Sequence, residues 1–181
     1  MNMSRAVALP FVALVFSLGA FPVCGGAQAG APMAEHAHAK AVPSAALMVS
    51  VEGKTVTFTT ADLEAMTQKT VTVHNAHNSM DETYSGVLLT EVLAKAGAGD
   101  GSLGKALLRS YVKAAGTDKY WVLYSGIEID GAAHAGQVLV ATKLGGQALG
   151  DDGAFKLVSS EDSKPQRWVR NLTALTLVKA E

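Results

Sequence analysis

The sequence predicts an α+β domain with a mixed or mainly antiparallel sheet. Three observations point there: strand-like segments outnumber helical ones, the helical stretches are short, and no regular βαβ alternation runs along the chain. The pattern begins at Ala46. Leu47 to Val51 and Thr55 to Thr59 flank Glu52-Gly53-Lys54 and read as a β-hairpin. Thr59 or Thr60 can cap a short helix through Met66, with Asp62 and Glu64 near its positive end. Thr70-Val71-Thr72-Val73 alternates strictly and reads as a strand, followed by a polar loop over 74–83. Leu88, Leu89, Val92, Leu93 and Ala96 form a helical apolar stripe, with Gly97 where a left-handed C-cap falls. Strands are then expected over Leu108–Ala114, Tyr120–Tyr124, Val138–Thr142, Phe155–Ser159 and Leu172–Val178, with Gly145-Gly146 as a hairpin turn.

Ahead of this domain lie two segments of different character. Arg5, an uncharged and largely apolar stretch from Ala6 to Val23, and the small-residue site Ala27-Gln28-Ala29 follow the order of a secretory signal peptide, so residues 1–29 are expected to be cleaved. Phe21-Pro22-Val23 before Cys24 does not resemble a lipoprotein cleavage site. Ser4-Arg5-Ala6 lacks the paired arginines of the route that carries folded, cofactor-loaded proteins. The expected route therefore threads an unfolded chain, to a periplasmic or secreted location without stable membrane insertion. Residues 30–45, rich in Ala, Pro, His and Gly, read as a flexible tether, leaving 46–181 as one domain.

Composition narrows the function classes. The chain has 181 residues, with 15 Lys+Arg, 16 Asp+Glu and one cysteine, Cys24, inside the expected leader. A mature chain without cysteine excludes disulfides, cysteine-rich zinc sites, iron–sulfur clusters, thioether-attached haem and a thiol nucleophile. The scattered basic residues and near-neutral charge leave no electrostatic footprint for nucleic acid. There is no nucleophile–base pair, phosphate loop or hydrolase motif.

Several segments share their order with one family. Tyr84-Ser85-Gly86-Val87-Leu88-Leu89, Asp118-Lys119-Tyr120, Glu128-Ile129-Asp130, Val138 to Leu149, Gly153-Ala154-Phe155-Lys156-Leu157-Val158 and Arg167-Trp168-Val169-Arg170 succeed one another over residues 84–178. Together they resemble the sulfite-oxidase-type molybdopterin-binding domain, and most of all its small, stand-alone exported members. The resemblance implies a compact α+β domain of layered mixed β-sheets with few short helices. In catalytic members a cysteine thiolate ligates molybdenum from a loop shortly before the Tyr-Ser-Gly-Val segment. Here that loop reads Asn75-Ala76-His77-Asn78, with Asn75 where the cysteine belongs. An amide oxygen is a hard, neutral ligand and does not replace a soft thiolate. Lys119, Ala154 and Lys156 also depart from the family pattern, which has Gly, Pro and Arg there.

These residues carry the functional expectations. Lys156, Arg167 and Arg170 form a candidate anion pocket, since guanidinium groups bind oxyanions through paired donors. The plainer alternative has Trp168 filling the core while the arginines pair with Glu161, Asp162 or Asp151. His74 and His77 are a weak candidate pair for a divalent metal, with Asp81 or Glu82 as a third ligand. The leading expectation is a binding or accessory module for a small anionic ligand or a periplasmic partner protein, with no cofactor. The alternatives are an exported molybdopterin-dependent oxidoreductase and, more weakly, a divalent-metal-binding protein.

Overall fold

The computed structural model describes residues 42–98 and 107–180. The expected leader, with its cleavage site, and residues 30–41 of the tether lie outside them. Strands β1 (Leu47–Val51) and β2 (Lys54–Phe58) form the expected hairpin. Its turn places Glu52 and Gly53 at φ 48° and 79°, the left-handed pair that matches the twist of the flanking strands. Helix α1 (Thr60–Glu64) starts from a capping box: the Asp62 N–H donates to the Thr59 hydroxyl, and the Asp62 carboxylate accepts the Thr59 N–H.

Strands β3 (Lys69–Asn75) and β4 (Met80–Leu88) form a second antiparallel hairpin, so the polar loop expected over 74–83 shrinks to Ala76–Ser79. The polar residues are strand residues whose partners sit across the ladder. Thr70 bonds Ser85, Thr72 bonds Thr83 and His74 bonds Asp81 on the outer face, while Val71, Val73 and Tyr84 face inward.

Helix α2 (Leu89–Leu93) follows, widening into a π-type turn over Ala94–Ala98 that holds Gly97 at φ 107°. Next come β5 (Ser110–Gly116), β6 (Trp121–Ser125) and the short helix α3 (Gly126–Ile129). The chain closes with β7 (Val138–Leu144), β8 (Gln147–Ala148), β9 (Lys156–Ser159) and β10 (Leu172–Lys179), and Gly145 and Gly146 turn β7 into β8.

The strands form two five-stranded sheets. The first runs β2-β1-β10-β5-β6 and is mixed, because β1 and β10 are parallel. The second is antiparallel, running β3-β4-β7 with β8 and β9 both on the far edge of β7. The main core lies between the sheets and includes Leu47, Val49, Val112 and Leu175 from the first, Val87, Val140 and Leu157 from the second, and Leu89 and Leu93 from α2. A smaller cluster of Val71, Val73, Tyr84, Leu139, Ala141 and Val158 covers the other face of the second sheet beneath Trp168. Burial on both faces explains why β7 starts as an unbroken apolar run over residues 138–141.

Contacts to distant strands and turns already occur at residues 42 and 44, ahead of the boundary at 46 expected from composition. Ser44 is buried; its N–H donates to Asn171 Oδ1 and its carbonyl accepts from the Ala154 N–H. Thr117 donates its hydroxyl to the Val42 carbonyl. These partners lie 75 or more residues away, beyond any local reading of the segment. Among the described residues, no helix is long and apolar enough to cross a membrane.

Candidate functional site

The β3–β4 register builds one wall of a cleft. Val73 pairs with Glu82 and Val71 with Tyr84, so Asn75, Glu82 and Tyr84 share the face that carries the smaller core cluster. Opposite them, Lys156 opens β9 and is buried to 5% exposure. Its ammonium donates to Tyr84 Oη at 2.6 Å and to Asp152 Oδ2 at 2.7 Å. The Tyr84 hydroxyl donates onward to Glu82 Oε2 at 2.6 Å. Glu82 Oε1 accepts from the side-chain amides of Asn75 at 3.0 Å and Asn78 at 2.8 Å. A continuous hydrogen-bonded chain thus runs from Asp152 through Lys156 and Tyr84 to Glu82 and Asn75.

Two aromatic rings hold this chain in place. Trp168 meets Tyr84 edge-to-face at 5.9 Å and 79°, with its indole N–H donating to the Ser159 carbonyl. The Lys156 ammonium lies 4.7 Å from the Tyr84 ring centroid and 5.5 Å from that of Trp168. The resulting cleft has a volume of about 340 Å³, with His77 and Arg170 also on its walls. Arg170 is 69% exposed and touches the site only through Nε, 3.8 Å from Asp152 Oδ1.

The protonation states follow from these contacts. Burial pushes the Tyr84 phenol well above its ordinary range, reinforced by its bond to Glu82 and the charges of Glu82 and Asp152, so it remains a donor. Burial raises the Glu82 carboxyl, but the bonds from Tyr84, Asn78 and Asn75, with the Lys156 charge, outweigh it and leave the group below its ordinary value. A lowered folded-state pKa contributes stability that is present above the unfolded value near ~4.3 and lost as pH falls through the folded one. Glu82→Gln is therefore expected to flatten the acid limb of the stability curve. Urea midpoints of the two proteins should converge as pH drops below about 4, and parallel curves would show that Glu82 does not carry this linkage.

The structure separates residues that the sequence groups together. Arg167 is not on the walls of this cleft. Its guanidinium bonds Glu128 at 2.8 Å and Asp162 at 2.5 Å and lies 4.6 Å from the Tyr124 ring centroid. The Asp162 bond, working against burial and aided by Glu128, raises its pKa further. Arg167 thereby ties the segment after β9 to α3 and β6. His74 and His77 are also parted. His74 bonds Asp81 on the outer face of the hairpin, while His77, its N–H donating to Asn75 Oδ1, reaches the cleft. Among the described residues, no group of three or more His, Cys, Asp or Glu side chains is placed to hold a metal ion.

Sequence reasoning did not single out Glu82 and Tyr84 as a coupled pair, or Asp152 as the partner of Lys156. Tyr84 reads as a core aromatic and Asp151-Asp152-Gly153 as a turn. Alternation continued past Val73 into Asn75 is the signal that leads to the first pair; the second is four residues apart, and its signal is the Asp-Gly turn that folds Asp152 back toward Lys156.

No family model and no curated protein matches the chain. Among solved structures it is similar to the sulfane dehydrogenase SoxCD from Paracoccus pantotrophus, with a TM-score of 0.55 and 20% sequence identity. The match covers 73% of this chain and 37% of that one, so this chain corresponds to little more than a third of its length. At this identity the likeness is one of fold: an α+β domain of mixed sheets and short helices that also occurs within a larger dehydrogenase.

Proposed function

We propose that the chain is an exported domain of the sulfite-oxidase-type fold that does no molybdenum chemistry and serves as a binding or accessory module, taking a small anionic ligand in the cleft between Asn75 and Arg170. The observation that carries the reading is the Lys156 ammonium on the cleft wall. Tyr84 and Asp152 take two of its three donors and hold it in one orientation. Arg170 adds a guanidinium at the rim whose fork is free to close on an oxyanion.

The residues do not fit a molybdenum cofactor. Asn75 stands at the position of the family's thiolate, and its amide is committed to Glu82. A small oxyanion meets Lys156 and Arg170 without requiring a soft ligand.

Melting curves of the exported protein with sulfate or phosphate, together with elemental and pterin analysis, test the reading. An anion at ten times its Kd is expected to add about 1.4 kcal/mol, a rise of roughly 3 °C in Tm. Arg170→Ala should abolish the rise at little cost to the unliganded protein. Arg167→Ala should lower the unliganded Tm and leave the anion-dependent rise intact. A wild-type Tm indifferent to both anions would refute the anion site, and near-stoichiometric molybdenum with pterin would refute the non-catalytic assignment.

A further inference from the structure

We propose that the free edge of β6 pairs with β6 of a second copy of this chain, joining the two mixed sheets into one ten-stranded sheet. Among the described residues, β6 is an end strand of the first sheet and pairs with β5 alone. Its other edge offers backbone groups to a further strand, except at Ser125, whose N–H donates to the Glu128 carboxylate. Edge strands are ordinarily guarded by charge, proline or a bulge. The other end strands of the two sheets follow that rule in part: β2 opens on Lys54 and β3 on Lys69. The β6 sequence Trp121-Val122-Leu123-Tyr124-Ser125 has no charge and no proline, and it pairs with β5 without a register shift.

The side chains around this edge are also of the kind that interfaces bury. Trp121 and Leu123 point away from the core, Trp121 at 53% exposure. With Tyr120 and Ile127 near them in sequence, and Leu108, they make five of the nine large apolar side chains exposed among the described residues. Leu108 belongs with them spatially, because the Leu107 backbone lies against Gly126 at the end of β6. A stable specific interface needs about 1,000 Å² of buried surface, and aromatic side chains bring 150–250 Å² each. Two half-exposed aromatics and three aliphatics on each of two copies, with a strand ladder centred on Leu123 between them, reach that order.

The occupant that fits is a second copy, because the edge is self-complementary. β6 has an odd number of residues, so antiparallel pairing about its centre sets Leu123 against Leu123 and Trp121 against Ser125 of the other copy. At each end of the seam the Glu128 carboxylate accepts the Ser125 N–H and is bonded to Arg167. Lys113 lies one strand in, its ammonium 4.9 Å from the Trp121 ring centroid. Across the twofold the two Lys113 side chains stand three strand spacings apart, about 14 Å, beyond the screening length of about 8 Å at physiological salt. None of the cleft residues belongs to this edge, so both clefts stay open in the dimer.

Sedimentation velocity of the exported protein over a hundredfold range of micromolar concentration tests the pairing. A concentration-dependent dimer is expected. Leu123→Lys, which sets two ammonium groups face to face on the twofold, should weaken it at least tenfold while the far-UV spectrum stays that of the folded chain. Met48→Lys, on the same outer face but at β1, should leave the dimer intact, since that site is exposed and distant from the seam. A wild-type monomer at every concentration would overturn the proposal; it is also the result expected if an extended segment of this chain or of another protein covers the edge. A dimer that survives Leu123→Lys, or one lost equally in Met48→Lys, would place the contact elsewhere and overturn it as well.

Discussion

Gly86→Ala is expected to destabilise the domain by about 3 kcal/mol, the upper end of the range for overpacking a filled site. A Cβ on Gly86 would stand 2.1 Å from the Val140 carbonyl oxygen and 2.6 Å from Ala141 Cα. Both are backbone atoms of β7, so no side chain can swing away to make room. Gly86 also flanks the irregularity in the β4–β7 ladder, where the pairing shifts between Ser85 and Gly86. Relief would require β4 to move off β7, opening the sheet between Tyr84 and Val87, one in each core cluster. Against a typical total of 5–15 kcal/mol, the loss is large. Urea denaturation measures it directly. Gly131→Ala is the control, because nothing lies within 4 Å of the added carbon, and its midpoint should be close to wild type. A Gly86→Ala midpoint equal to that of the control would show that β4 and β7 are not in this close contact.

Lys156→Met is expected to cost about 3 kcal/mol, the lower end of the range for removing one partner of a buried ion pair. The substitution roughly conserves side-chain volume and keeps an apolar body between Tyr84 and Trp168. What it removes is the charge. Asp152, 18% exposed, loses its 2.7 Å partner and retains only the longer contact to Arg170. Tyr84 Oη loses its donor, although its own bond to Glu82 remains. Asp152→Asn introduced into Lys156→Met should recover part of the loss, since it removes the stranded carboxylate. A double-mutant cycle by urea denaturation measures the coupling; strictly additive losses would mean that the two charges do not interact across the cleft. The same variant should lose the anion-dependent rise in Tm, because the ammonium is the buried cation of the proposed site. Retention of that rise would leave Arg170 alone as its source.

Local chemistry determined a good part of this fold. The Glu52-Gly53 turn, the Thr59–Asp62 cap, the left-handed Gly97 and the Gly145-Gly146 turn are each read from a few adjacent residues, because a turn or cap is satisfied by its own neighbours. The strand-rich, helix-poor pattern followed from side-chain period in the same way. That residues 46–181 hold no cysteine to supply a thiolate is likewise plain from residue identities alone.

Tertiary structure alone decided what those residues do. Residues 74–75 and 81–83 read as loop because they are polar on both faces, and only the β3–β4 register shows that they pair with one another across a ladder. The same register sends Asn75 and Glu82 into the cleft and His74 to the opposite face, since a one-residue step reverses a side chain's direction. Arg167, three residues from Arg170, is claimed by Glu128, 39 residues away, and so leaves the cleft. Asp152 becomes the partner of Lys156 because the short 3₁₀ turn at Gly150–Asp152 folds it back toward the start of β9. The Arg167–Glu128 pair joins residues distant along the chain, and the Asp152–Lys156 pair, though only four residues apart, depends on how the turn between them folds. A pattern of nearby residue types carries no record of them until the backbone brings the two ends together.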